Sequence, residues 1–323
     1  MKNILIFRTD KFGDLINSSA VYKNIKENYP NSKVDLVCSN YNYYLAKNYK
    51  DYFNNIIIFQ KPFFNFLFKN RLILSKKYDL LLVLDGKNHS FFSSLFIKSS
   101  RKASILYIKK KSILNFNFLN KRPNKLISFF FSDHVVSIED FNINDNSQYH
   151  YLTLYLKLLE KLNLKIYSKD YFLPVLNNKN NLYNSHKNHI LLHVDSRWKN
   201  FNDSIIKSLE DKIISLSKEY MIIITSDKTN FFIDNFSKKY GKLNVKCIFD
   251  SNIDDLITLV SNSLLLISSH SGLLVTVAAS FKKPIIDIVS KDIFNELDRW
   301  IPLNYKYKRY ELSDINGLNV DFI

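Results

Sequence analysis

The chain has 323 residues, 46% of them apolar, and a formal net charge of +16 from 46 Lys and Arg against 30 Asp and Glu. This length accommodates two ordinary domains, and the composition excludes a disordered, collagenous or disulfide-stapled chain. The positive excess favours anionic partners such as nucleotides, phosphorylated glycans or acidic lipid, while a general enrichment in Lys would also produce it.

The apolar run ILIF at 4–7 predicts a buried parallel strand. A polar loop at 8–12 and the pair Gly13-Asp14 follow, and then about four turns of amphipathic helix ending at Pro30. This order sets Asp14 at the carboxyl edge of a parallel sheet, where open α/β folds place ligands. Further strands are expected at 33–38, 56–59 and 80–84, the last ending in Asp85-Gly86, and a short helix at about 90–97. Two stretches interleave aromatic and basic residues. In 62–77, Phe63, Phe64, Phe66 and Phe68 alternate with Lys69, Arg71, Lys76 and Lys77, and 109–131 has the same character. Either these rings pack in core and loops beside solvated lysines, or they form a patch that rests on a lipid headgroup layer.

Tyr151, Leu154, Tyr155, Leu158 and Leu162 recur at helical spacing, which predicts a helix over 149–163. Periodicity is lost over 165–188, which reads as a linker. The boundaries expected are a first Rossmann-like domain at 1–168, a linker at 169–188 and a second Rossmann-like domain at 189–323. The second half alternates strands at 190–194, 221–225, 245–249, 264–267 and 285–289 with helices after Asp203, a plausible N-cap, near 229–239, near 252–262 and from Gly272. The fold class expected is therefore α/β: two doubly wound parallel-sheet domains with carboxyl edges facing across a cleft.

Each candidate residue has a plain and a functional reading. Asp14 is either a helix-capping carboxylate or a general base, and Asp10 in the same loop has the same two readings. Arg8 and Lys11 either hold a phosphate or neutralise these acids. SSHSGLLVTVAA at 268–279 runs from strand into an apolar helix, so Ser271 and Gly272 sit where backbone N–H groups would meet a diphosphate, with His270 as a further donor. The plain reading is an ordinary N-cap. Arg197 and Lys199 either neutralise a leaving phosphate or are solvated, and Asp227 either accepts from a ribose hydroxyl or is a loop acid. His186, His189 and His193 straddle linker and strand without a completing Cys or carboxylate, so no metal site is expected.

Cys38 and Cys247 read as buried thiols in a reducing compartment. The first residues enter a strand directly and no apolar run reaches the length of a membrane span, so the expectation is a cytosolic protein. The sequence contains no G-x-G-x-x-G, P-loop, G-x-S-x-G or D-x-D. These absences disfavour nicotinamide or flavin chemistry and an α/β-hydrolase, and they suit a sugar transferase that works without metal. Nucleic acid is not an expected partner, because the aromatic clusters match no RNA-recognition motif.

The opening ILIFRTDKFGDLINSSAVYKNIKENYPNSKVDLVC resembles that of glycosyltransferase family 9, the bacterial heptosyltransferases of lipopolysaccharide core assembly. KYDLLLVLDGKNHS, HVDSRWKNFNDSII and LLISSHSGLLVTVAASFKKPIIDIV resemble, in order, the family's later strand, its phosphate-binding loop and its donor-side turn. The resemblance implies a GT-B fold, an inverting metal-independent transfer with no cofactor beyond the donor, and ADP-heptose or a related nucleotide-diphosphate sugar as that donor. It also implies an anionic lipid-linked glycan acceptor and a place at the cytoplasmic face of the inner membrane. Asp14 would be the catalytic base. Arg197, Lys199, Asp227, His270, Ser271 and Gly272 would lie on the donor side, and Arg8, Asp10, Lys11 and Gly13 on the acceptor side. Phe63, Phe64, Lys69 and Arg71 would form an acceptor or membrane patch. Family members carry an acid two residues before the glycine of the donor turn and a histidine three after it, positions that are His270 and Val275 here. Two alternatives stay open: another nucleotide sugar serving capsule, O-chain or glycoprotein glycans, and a catalytically silent scaffold.

Overall fold

The computed structural model describes residues 2–106, 110–113, 116–119, 129–136, 150–174, 183–195, 197, 202–226, 243–291, 294, 296–303 and 305–320. The chain forms two units, residues 1–174 and 175–323.

In the first unit the elements run β1 (Asn3–Arg8), α1 (Phe12–Asn17), α2 (Ser19–Asn28), β2 (Lys33–Cys38), α3 (Asn40–Ala46), β3 (Asn55–Ile58), α4 (Phe63–Lys69) and α5 (Arg71–Leu74). They continue with β4 (Tyr78–Val83), α6 (Asn88–Leu95), β5 (Ser99–Leu106), β6 (Lys110–Ile113), β7 (Phe116–Leu119), β8 (Asp133–Val136) and α7 (Tyr151–Lys161). Six parallel strands form one sheet in the order β3-β2-β1-β4-β5-β8. Its central strands are apolar because helices cover both faces, and Ile4, Leu5, Ile6, Phe7, Leu81, Leu82 and Val83 are fully buried.

The helix expected as one piece up to Pro30 is two, α1 and α2, meeting at Ser18. Ser18 Oγ donates to the Asp14 carbonyl at 3.0 Å, and Arg8 Nε donates to the same carbonyl at 2.9 Å. A carbonyl drawn outward by a side chain one turn on and by an arginine bends the helix at that point. Residues 165–172 carry no helix or strand, yet they are fixed to α2. Asn24 accepts from the Tyr167 and Ser168 amides, and Phe172 N donates to Ser19 Oγ. The part of the expected linker at 169–174 therefore packs on the first unit.

The second unit runs β9 (His189–Val194), α8 (Asp203–Leu216), β10 (Met221–Ser226), β11 (Val245–Ile248), α9 (Ile253–Asn262), β12 (Ser263–Ser268), α10 (Gly272–Ser280), β13 (Ile285–Val289) and β14 (Tyr307–Glu311). Its sheet is again six parallel strands, in the order β11-β10-β9-β12-β13-β14. The cap of α8 is Asn202, which accepts from Ile205 N at 2.9 Å, and Asp203 is the first helical residue instead. The helix expected near 229–239 lies outside the described residues. The sequence alone does not predict β5, β8, β14 or the β6-β7 hairpin, because β5, β6 and β14 carry lysine or arginine among few apolar residues and β7 and β8 hold only three and two apolar residues. Cys38 is buried, its thiol pushed up to about 12 by desolvation, whereas Cys247 is only half-buried rather than fully enclosed. No described helix is long and apolar enough to cross a membrane.

Candidate functional site

Both sheets are doubly wound, and in each the strand order reverses next to the first strand. The crevice at such a reversal, at the carboxyl ends of the strands, is where this architecture binds ligands. In the first unit it lies between the ends of β1 and β4, and in the second between the ends of β9 and β12.

In the first unit β1 delivers Arg8, Thr9 and Asp10, and β4 delivers Leu84 and Asp85. Arg8 is 2% exposed, and its guanidinium donates to the carbonyls of Asp14 and of Leu84, the latter at 2.6 Å. Its Nε also lies 3.2 Å from Asp10 Oδ1, and its Nη2 3.6 Å from Asp14 Oδ1. One buried cation is thus shared by two carboxylates. Asp10 shows the strain of that sharing. Burial pushes its carboxyl up to about 7, Arg8 opposes the shift, and Asp14 and Asp85 add to it. Asp14 is the more accessible of the two acids, with 28% of its side chain exposed. Its Oδ2 also accepts from Lys11 N at 3.4 Å, so the capping role is realised alongside the pairing with Arg8. Lys11 is exposed, and Gly13 is buried in the first turn of α1.

A second cluster beside it was not expected. Asp85 accepts from Thr9 N, Thr9 Oγ1, Ser90 Oγ and Lys87 N at 2.6–3.0 Å. Gly86 has φ 59°, a left-handed turn that suits glycine and lets the chain reverse into α6. His89 Nε2 lies 2.7 Å from Thr9 Oγ1. The Thr9 hydroxyl gives its one proton to Asp85, so it accepts from His89, which places the imidazole proton on Nε2. Burial lowers the His89 pKa, Asp85 opposes this, and Lys61 and Lys87 add to the lowering. The signal that would have found this cluster is the Asp85-Gly86 turn, once β4 is known to lie beside β1.

In the second unit β9 delivers Asp195 and Arg197, and β12 delivers Ser269, His270 and Ser271. The Arg197 fork grips the Asp195 carboxylate through Nε and Nη2 and donates through Nη1 to the His270 carbonyl. Three of its five N–H donors are used in these bonds, and its side chain stays 42% exposed. Burial would raise Asp195, but the bonds from Arg197 and Ser269 outweigh it and hold the carboxyl below its ordinary value. His270 has φ 62°, a conformation that costs a non-glycine residue strain. Asp287, fully buried on β13, holds it there by accepting from His270 N at 3.2 Å, and it also takes His270 Nδ1 at 2.6 Å, Ser268 Oγ and Tyr307 OH. Burial and the Asp287 carboxylate raise the Tyr307 pKa, so its phenol remains a donor. The turn then opens into α10. Ser271 occupies the cap position without a side-chain cap bond, and a Cβ built on Gly272 would meet no atom within 4 Å. The first-turn N–H groups of α10 therefore begin beside open space, with the Arg197 guanidinium bonded to the same turn.

Lys199 and Asp227 lie outside the described residues. The three histidines considered as ligands are separated. His186 is half-buried and bonds Lys246, His189 is buried at the start of β9, and His193 bonds Thr225 near its end. Among the described residues no group of three or more His, Cys, Asp or Glu side chains is placed to hold a metal ion. In the expected patch Phe64 is exposed and Phe63 is partly buried against the core. Lys69 donates to Gln60, and the Arg71 guanidinium lies 5.1 Å from the centre of the Phe68 ring.

Two such units in one chain define the GT-B fold. No protein-family model and no curated protein matches the sequence. Solved structures do match in shape. A glycosyl transferase family 9 protein from Veillonella parvula superposes with a TM-score of 0.69 at 13% identity, over 96% of this chain and 87% of that one. The E. coli heptosyltransferase WaaC, solved with ADP-2-deoxy-2-fluoro heptose, gives 0.66 at 14% identity, over 98% and 96%. The UDP-GlcNAc 2-epimerase of Methanocaldococcus jannaschii gives 0.56 at 15% identity, over 99% and 93%. At these identities the likeness establishes the fold.

Proposed function

We propose that the chain is an inverting, metal-independent glycosyltransferase of the family 9 type, moving heptose or a related sugar from a nucleoside-diphosphate donor to an anionic, lipid-linked cell-surface glycan. The observation that carries this reading is what each unit presents at its own switch point. One presents an accessible carboxylate steadied by a buried arginine, and the other a helix N-terminus open to an anion beside a second arginine. The neighbour solved with an ADP-heptose analogue supports a nucleotide sugar as donor.

In this reading the donor diphosphate rests on the first-turn N–H groups of α10. The two N–H groups of Arg197 beyond its three bonds, together with Lys199, offset the charge that grows on the leaving nucleotide. Asp14 accepts the proton of the acceptor hydroxyl as that oxygen forms its bond to the anomeric carbon and the nucleoside diphosphate departs from the opposite face. Arg8 keeps Asp14 oriented, and Lys11 and Asp10 line the acceptor side.

The test has two stages. Thermal shift against ADP-, GDP-, UDP- and CMP-sugars identifies the donor, because a ligand that binds the folded form raises its melting temperature. Release of nucleoside diphosphate that depends on added acceptor then separates transfer from epimerisation, which needs no acceptor. Asp14→Asn should lower turnover at least about a hundredfold while leaving donor affinity within about twofold. Turnover surviving within about tenfold would remove Asp14 as the base.

A further inference from the structure

Among the described residues the large exposed aliphatic and phenylalanine side chains all belong to α4, α5, α6 with the residue just after it, and residues 129–130. Phe64 and Phe68 on α4, Leu72 on α5, and Phe92 and Phe96 on and just after α6 are 53–86% exposed. Phe129 and Phe130 are 81% and 42% exposed, and the adjoining Phe131 is buried with its ring 5.2 Å from Phe91 of α6. The other large exposed hydrophobics are three tyrosines. The face is a ridge, not a scatter: the Phe63 ring lies 3.9 Å from Phe64, 5.9 Å from Phe96 and 6.5 Å from Phe92. Beneath it Phe66, Phe91 and Phe131 belong to the core, so the exposed rings stand on a rigid base. A contiguous apolar surface of this kind marks a docking face.

The rim identifies the occupant. Residues 61–102 contain nine Lys and Arg and two acids, Asp79 and Asp85. Asp85 is buried in its own bonds, and Asp79 accepts from Asn3 N. Lys61, Lys69, Arg71, Lys77, Lys87 and Lys98 are exposed. A second copy docked on this face by a two-fold axis would set cations against cations. An anionic bilayer fits both features, taking the rings into the headgroup–acyl boundary and the cations at lipid phosphates.

We propose that the α4–α5–α6 face of the first unit is a docking surface for an anionic phospholipid bilayer. The proposal stands independently of the transferase reading. It is tested with the full chain by co-sedimentation with vesicles of phosphatidylcholine alone and with phosphatidylglycerol added, across a salt series. Binding should require the anionic lipid and weaken as salt rises. Lys69→Gln with Arg71→Gln should lower partitioning about twentyfold, and Phe64→Ser with Phe68→Ser at least about tenfold, at unchanged circular dichroism. Phe68→Trp, which keeps the ridge, should show blue-shifted emission quenched by brominated acyl chains. Equal binding to both vesicle types, wild-type partitioning of either double variant, or a tryptophan that brominated chains do not quench would overturn the proposal. So would a dimer in light scattering that the phenylalanine variant dissolves.

Discussion

Replacing Asp10 with asparagine should stabilise the protein at neutral pH and above, and the size of the effect follows from its surroundings. The carboxyl titrates at about 7 in the folded chain instead of 3.8, chiefly because burial disfavours its charge. The folded state therefore holds a proton that the unfolded state has already released. With the folded value raised, the stability this group contributes is fully present below about pH 4 and lost as pH rises through about 7. One unit corresponds to about 1.4 kcal/mol, so the rise from 3.8 to about 7 sets a ceiling near 4 kcal/mol above neutrality. Its side chain is 13% exposed, so solvent screens little of this. Asparagine cannot ionise, and the opposing pull of Arg8 is already contained in the value of about 7, so nothing further is subtracted from that ceiling. The expectation is a gain of up to about 4 kcal/mol near pH 8, fading to nothing near pH 4, where the wild-type carboxyl is protonated. Urea unfolding followed by circular dichroism over that range reads it directly. If Asp10→Asn is as stable as wild type, or less so, near pH 8, the ionised Asp10–Arg8 pair is net stabilising and the account of the shared cation is wrong.

Two further substitutions probe the second unit. Gly272→Ala adds a methyl where nothing lies within 4 Å, so melting should hold or improve by the equivalent of about 0.4–1 kcal/mol. The same methyl occupies the space assigned to the diphosphate, so affinity for the donor nucleotide, measured by calorimetry, should fall about tenfold; unchanged affinity would take the diphosphate off this turn. Asp287→Asn presents an amide to a site that accepts from His270, Ser268 and Tyr307, and should cost about 2–3 kcal/mol in denaturation and weaken donor binding with it. An unaltered midpoint would show that Asp287 does not brace the strained turn.

The sequence discloses the strands that are uninterrupted and apolar, such as residues 4–7, 190–194 and 285–289, because a strand covered on both faces needs no alternation to be recognised. It hides β5, which opens Ser-Ser-Arg-Lys, because the first half of that strand is only partly covered and carries polar residues. The sites divide along the same line. Asp14, His270 and Gly272 could be picked out because each belongs to one local strand–turn–helix unit. Arg8 sharing its charge between Asp10 and Asp14 also lies within seven residues, yet its burial comes from Leu84 and Tyr155, distant in the chain. Thr9 and Asp85 are 76 positions apart and meet only because β4 pairs with β1. His270 and Asp287 meet because β13 pairs with β12. In each unit the local strand–turn–helix supplies the candidate site residue. The neighbouring parallel strand supplies the carboxylate that fixes the turn, and strand order decides which carboxylate that is.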